Sequence, residues 1–280
     1  MSSKKSPPSL TLPSSTNCGG RGQIDLKPFW DELYQHHATR AFITNDPISI
    51  PYRFISTNDP RDAEFVSFLV AMFAYGQRGK IIETMGNVIS YFESSPVEIL
   101  LNSDTKKWQK AFKQFYYRFN IQDDLLFILS ALQQTYKKTG SLKALWQNTV
   151  TEKSYPLRLQ TFQDNLMSSA LLAYPDTYGM QFLLAQPAKG SAAKRLNMFL
   201  RWMIRNDEID LGLWQNEVDL SNLRMPLDTH VGRLAREHKI TSRASNNWQT
   251  VEEITSYFKR LNAQDPVRYD IAMMGLGTSG

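Results

Sequence analysis

Phe65, Phe68, Leu69, Met72 and Phe73 recur at spacings of three and four, which is the period of one face of an α-helix. Val66 and Val70 fall on the flanks of that face, so the helix they form is apolar nearly all round. Such a helix cannot lie on a surface. It must be enclosed, so the rest of the chain has to supply neighbours on every side. Asp59-Pro60 supplies a start signal, an N-cap followed by proline at the first helical position. Gly76 is placed to end the helix.

The neighbours show the same period. Ile81, Ile82, Met85, Val88, Ile89 and Phe92 mark a second helix, and Trp108, Ala111, Phe112, Phe115 and Phe119 a third. Leu125, Leu126, Leu129, Leu132 and Tyr136 mark a fourth, closed by Gly140. Further stripes run through Leu159 to Leu171, through 191–205 (Leu196, Phe199, Leu200, Met203), and through Val231 to His238. Two more run from Val251 to Leu261 and from Val267 to Met274. Alternation with period two is nearly absent, and only Ile48 to Ile55 is compatible with a short extended piece. The expected fold is all-α, with roughly ten helices joined by short connections.

Residues 1–23 are rich in Ser, Pro, Gly and Thr and cannot form a core. They read as a disordered tail before a single helical domain at 24–280. Three of the five net positive charges (Lys4, Lys5 and Arg21) sit in that tail, leaving only +2 for the domain. A nucleic-acid surface would therefore need local clustering of charge. Cys18 is the one cysteine, which excludes an internal disulfide, a four-cysteine zinc site and an iron–sulfur cluster. Four His without ligand spacing give no support for a metal site, and no cofactor is expected. The longest nearly apolar run, Phe65 to Tyr75, is too short to span a bilayer. No apolar stretch follows Lys4 and Lys5, so no secretory signal is read and a cytoplasmic location is expected.

Two segments carry possible chemistry. Lys189 to Arg205 holds Lys189, Lys194, Arg195, Arg201 and Arg205 without an acid. Small residues ahead of a helix expose backbone N–H groups that suit a phosphate. Lys194 falls in the first turn, where the helix dipole disfavours a cation. Desolvated there, its amine becomes a usable nucleophile; the plain alternative is a solvated charged face. In the second segment, Met225 to Arg236, Asp228 stands just before a helical stripe. An ordinary N-cap accounts for it, yet a capping carboxylate is also rigid and able to act chemically.

Together the segments resemble the helix-hairpin-helix DNA glycosylase superfamily. Leu227-Asp-Thr-His-Val231 matches the motif that carries the superfamily's catalytic aspartate, and Gln186 to Lys194 is a degenerate version of the glycine hairpin before its lysine. Tyr269 to Gly277 looks like the closing helix. A narrower resemblance, through Lys194 to Met203, Pro226 to Val231 and Asp265 to Gly277, is to a bacterial family of unknown function distantly similar to the archaeal 8-oxoguanine DNA glycosylases. The usual Leu-Pro-Gly-Val-Gly hairpin is absent, and 34 residues separate Lys194 from Asp228, features that the archaeal branch shares.

The resemblance implies a two-lobed glycosylase-like fold with a cleft between the lobes. It implies a monomeric enzyme of base excision repair whose partner is double-stranded DNA with a damaged base. Lys194 would be the nucleophile that forms a Schiff base, and Asp228 would stabilise charge developing on the sugar. Met198 and Trp202, successive turns beyond Lys194, would line the base pocket; core packing is the alternative for both. Gln77 and Arg78 would probe the duplex; an ordinary loop after the helix is the alternative for both. Lys189, Gly190, Arg195, Arg201, His230 and Arg233 are the remaining DNA-binding candidates, with Arg205 and Arg236 as further phosphate contacts. His230 reads as structural and not as a general base. The competing readings are a catalytically inactive nucleic-acid-binding protein of the same fold and a helical interaction protein.

Overall fold

The computed structural model describes residues 25–171 and 173–276. The tail at 1–23 and Gly277 lie outside the described residues. The chain begins with α1 (Lys27–His37), α2 (Arg40–Thr44) and α3 (Ser49–Tyr52), then α4 (Arg61–Met72), α5 (Arg78–Ser90), α6 (Pro96–Asn102) and α7 (Thr105–Ala111). A two-stranded hairpin follows, β1 (Tyr116–Tyr117) with β2 (Asn120–Ile121). Next come α8 (Gln122–Thr139), α9 (Leu142–Gln147), α10 (Tyr155–Met167) and α11 (Tyr178–Leu183). The last four are α12 (Lys194–Ile204), α13 (Thr229–Glu237), α14 (Trp248–Leu261) and α15 (Tyr269–Leu276). The protein is mostly helical. It exceeds ten helices because connections such as α2, α3, α9 and α11 are themselves one or two helical turns. No described helix is long and apolar enough to cross a membrane.

Helix α4 is enclosed as its sequence requires, with every residue from Asp62 to Met72 buried. Each large apolar side chain withdrawn from water there contributes about 1.5–3 kcal/mol. Its neighbours include α3, α6 and α12. The two acids buried in its first turn hold other helices. Asp62 accepts from the backbone N–H of Val97 in α6 at 2.9 Å. Glu64 accepts from Leu142 and Lys143 at the start of α9 (2.7 and 3.1 Å), from the Tyr136 hydroxyl (2.7 Å) and from the Trp214 indole (2.8 Å). Burial pushes the Glu64 carboxyl above its usual range, and these four donors oppose that shift. The helix starts one residue later than the Asp59-Pro60 signal implies, with Pro60 at the N-cap position, and Asp59 accepts from the N–H of Arg61 at 2.9 Å.

Three local expectations need correction. Ile48 to Ile55 is not extended, because Ser49–Tyr52 forms α3; a short apolar run does not distinguish strand from buried helix. The third helix stops at Ala111, and Phe115 and Phe119 belong to the approach and tip of the hairpin. Helix α4 ends at Met72, ahead of Gly76. Gly76 serves the turn beyond, at φ +95°, where a Cβ would meet Arg118 and the Tyr117 hydroxyl at 3.0–3.2 Å. Gly140 closes α8 in the left-handed conformation as expected.

Candidate active site

Helix α12 starts from a bend that its neighbours clamp. Gly190 is left-handed (φ +97°), and its carbonyl accepts from the Trp248 N–H at 2.8 Å. Ser191 pairs with Asn247 in an isolated antiparallel bridge. Ala193 is also left-handed (φ +46°), a conformation costing a residue with a Cβ about 1–2 kcal/mol. These turns aim Lys194, the first residue of α12, across the molecule at α4. Its Nζ donates to the carbonyl of Ala74 at 3.1 Å. Among the described residues it makes no ion pair within 4 Å.

A cavity of about 840 Å³ opens in front of Lys194, within the size range of small-molecule sites. Asp46, Asp228, Met198, Met274 and Asp270 share its wall with Lys194. Burial of the ammonium holds the Lys194 pKa below the ordinary lysine value. The nearby Asp228, Asp270 and Asp46 carboxylates oppose that shift without cancelling it, and Arg201 reinforces it.

Asp228 is the N-cap of α13. Its Oδ1 accepts from the N–H groups of His230 and Val231 at 3.0 and 2.9 Å, and Oδ2 has no hydrogen-bond partner among the described residues. Asn246 donates to the Asp228 carbonyl at 3.1 Å and is itself held by Arg236 at 3.0 Å. A cap fixed in this way leaves one carboxylate oxygen available to the cavity.

Asp270 was not singled out by sequence reasoning, and it is the most unusual acid in the wall. It is 2% exposed. One oxygen receives Arg201, and the other is buried without a partner. Burial, with a contribution from the Asp228 charge, pushes its pKa up to about 6, against the opposing pull of Arg201 and Lys194. A single acid inside the apolar run 269–276 was the signal available in the sequence. Asp46 was also missed; it is buried, with Oδ1 accepting from Ile48 N–H at 3.1 Å.

The other expected residues divide. Met198 lines the cavity, as do Arg78 and His230. Trp202 does not: it is fully buried in the core and absent from the wall. Arg201 lines the wall and Arg205 lies outside it, and both spend their guanidinium groups on buried carboxylates. Arg201 pairs with Asp210 at 3.1 Å and with Asp270. Arg205 pairs with Asp207 at 2.8 Å, with Asp265 at 2.9 Å and with Asp210. Arg195 lines the wall but donates to the carbonyls of Met72 and Phe182 and lies over the Phe182 ring at 4.7 Å. Burial brings its pKa down to about 10. Arg233 is exposed and bound to Glu237 at 2.7 Å. Arg236 is spent on Asn246 and the Arg243 carbonyl. Lys189 is exposed beside Gly190 but outside the wall. Gln77 is exposed and outside it as well. Among the described residues no cluster of three His, Cys, Asp or Glu is arranged to hold a metal.

The family model described as "Protein of unknown function (DUF2400)" matches residues 46–279, and the chain belongs to this family. No curated protein and no solved structure matches it.

Proposed function

We propose that this protein is a bifunctional DNA glycosylase and abasic-site lyase that removes an oxidised purine, of the 8-oxoguanine type, from duplex DNA in base excision repair. The observation that carries the reading is Lys194, a half-buried amine with one hydrogen bond in the wall of a cavity it shares with Asp228 and Asp270. A buried amine with a lowered pKa holds more of its neutral, nucleophilic form at neutral pH. In this reading the frame is the two-lobed helix-hairpin-helix type, and the cavity receives a base flipped from the duplex.

The chemistry follows from these groups. The neutral Nζ of Lys194 attacks C1′ of the damaged nucleotide. The C1′–N9 bond breaks, and the base leaves with the electron pair and takes up a proton. Opening of the sugar ring gives a Schiff base between Nζ and C1′. Loss of a C2′ proton then expels the 3′ phosphate, and water hydrolyses the Schiff base to restore the amine. Oδ2 of Asp228, left free by the cap, faces the positive charge that develops on the sugar. A second reading, a helical binding protein without chemistry or nucleic acid, draws support from Arg201 and Arg205, which spend their charge inside the fold and add none to a nucleic-acid surface.

Borohydride trapping tests the proposal. Incubation with an 8-oxoguanine duplex and reductant should give a covalent protein–DNA adduct with the wild type and none with Lys194→Gln. Failure to form an adduct with 8-oxoguanine, uracil, thymine-glycol or abasic duplexes would remove the catalytic reading and leave the binding one.

A further inference from the structure

The segment between Asp104 and Asp123 contains Lys106, Lys107, Lys110, Lys113 and Arg118 and no acid. Its charge of +5 exceeds that of the whole chain beyond residue 23. Six aromatic residues are interleaved with these cations. Trp108, Phe112 and Tyr117 are buried and anchor the segment, while all five cations are exposed. Among the described residues none of the four lysines makes an ion pair, unlike Lys27, Lys80 and Lys143. Lys106 and Lys110 stand one helical turn apart on α7, opposite Trp108, and Lys113 continues the strip in the following turn.

The strip runs into the hairpin, and the hairpin is tied to the cavity. The Tyr117 hydroxyl donates to the carbonyl of Tyr75, and the Tyr75 hydroxyl donates to the Asn120 side chain. The preceding carbonyl, that of Ala74, receives Lys194. Two successive carbonyls after α4 therefore fix the nucleophile and the hairpin to each other. Arg118 and Phe119 form the hairpin tip and also line the cavity. Arg118 is left-handed (φ +54°), a costly conformation for a side chain with a Cβ. Its guanidinium lies 5.5 Å from the Phe119 ring and 5.8 Å from the Tyr75 ring. Phe119 is 41% exposed, and the neighbouring Tyr116 is 69% exposed.

We infer that α7 and the hairpin form the duplex-DNA contact of this protein: the lysine strip follows one phosphate backbone, and the Arg118–Phe119 tip stacks into the space left by an extruded base. The inference rests on the proposed glycosylase reading for its choice of partner and adds the surface that reading lacked. A row of unpaired cations ending in an exposed aromatic tip combines the electrostatic and stacking elements of nucleic-acid binding surfaces.

Fluorescence anisotropy with a plain duplex and with a duplex carrying a tetrahydrofuran abasic analogue, over a salt series, tests it. The quadruple variant Lys106→Ala, Lys107→Ala, Lys110→Ala, Lys113→Ala should weaken both duplexes by tenfold or more. It should also flatten the slope of log K against log salt by up to about 3.6, given roughly 0.9 for each of four phosphate contacts. Phe119→Ala should weaken the abasic duplex by about tenfold and the plain duplex less. A matched quadruple variant at exposed lysines elsewhere, 137, 138, 153 and 239, should leave the slope within about 1 of the wild type. Unchanged thermal midpoints establish that the variants fold. The inference is overturned by a slope that responds equally to both quadruple variants, by absence of duplex binding in the wild type, or by equal, lysine-dependent binding of duplex RNA. Trapping through Lys194 with an unaltered slope in the strip variant would discard the surface and keep the site. Strip-dependent DNA binding without any adduct would do the reverse.

Discussion

The two ends of α12 each draw a cation away from water and treat it in opposite ways. At the C-terminal end Arg201 and Arg205 are 2% exposed and meet four carboxylates, those of Asp207, Asp210, Asp265 and Asp270. At the N-terminal end Lys194 is desolvated and donates to one carbonyl, with carboxylates acting on it only through space. The outcomes follow the pairing. Arg205 is driven well above its ordinary pKa, whereas Lys194 is held below its own. Burial lowers a cation's pKa in both cases, and the contacts decide whether it ends above or below its ordinary value.

Breaking the paired end should give the largest effect. Asp210→Ala removes the acid shared by Arg201 and Arg205 and should cost roughly 3–5 kcal/mol in chemical denaturation, because it leaves buried cations under-compensated. A loss below about 1 kcal/mol would mean that the network does not hold this end of the helix.

Asp270 joins the two ends and should reveal itself through pH. Its pKa rises from 3.8 to about 6 on folding, so between those values the folded state holds a proton that the unfolded state has released. Its contribution to stability is therefore complete below about pH 4 and lost as pH rises through 6. The total is on the order of 2–3 kcal/mol. Denaturation of Asp270→Asn across pH 4 to 7 should lack that slope; a slope equal to the wild type's would assign the titration to another group.

Asp228 separates capping from chemistry. Asp228→Ala should cost about 1 kcal/mol through loss of the α13 cap. Asp228→Asn should keep most of that stability, because asparagine caps as well, and yet slow adduct formation by 100-fold or more. Equal adduct rates in Asp228→Asn and the wild type would show that the carboxylate charge plays no part. The smallest effect belongs to the unpaired end. Lys194→Met should change stability by no more than about 1 kcal/mol, towards greater stability, since it removes a poorly compensated, half-buried amine. A clear loss of stability would mean that Lys194 is a structural cation like Arg205.

Legibility in the sequence tracked the range of the interaction. The enclosed α4, the α8 stop at Gly140 and the Asp228 cap each depend on residues a few positions apart, so periodicity and capping signals found them. The pairing of Arg201 with Asp270 spans 69 residues and left no local trace, so Arg201 resembled a surface cation. The hairpin was hidden because Phe115 and Phe119 continue the spacing of α7, while the left-handed Arg118 that turns the chain has no composition signature. The basic strip of α7 is local in sequence, five cations without an acid between Asp104 and Asp123, but the small net charge of the domain masks it.

The account rests on Lys194 being the amine that forms the covalent link. Peptide mapping by mass spectrometry of the borohydride-reduced complex, prepared at pH 7 with an 8-oxoguanine duplex, addresses that claim directly. The expected result is a single modified peptide with the reduced sugar remnant on Nζ of Lys194. A remnant on any other residue would contradict the assignment of the desolvated end of α12 as the reactive one.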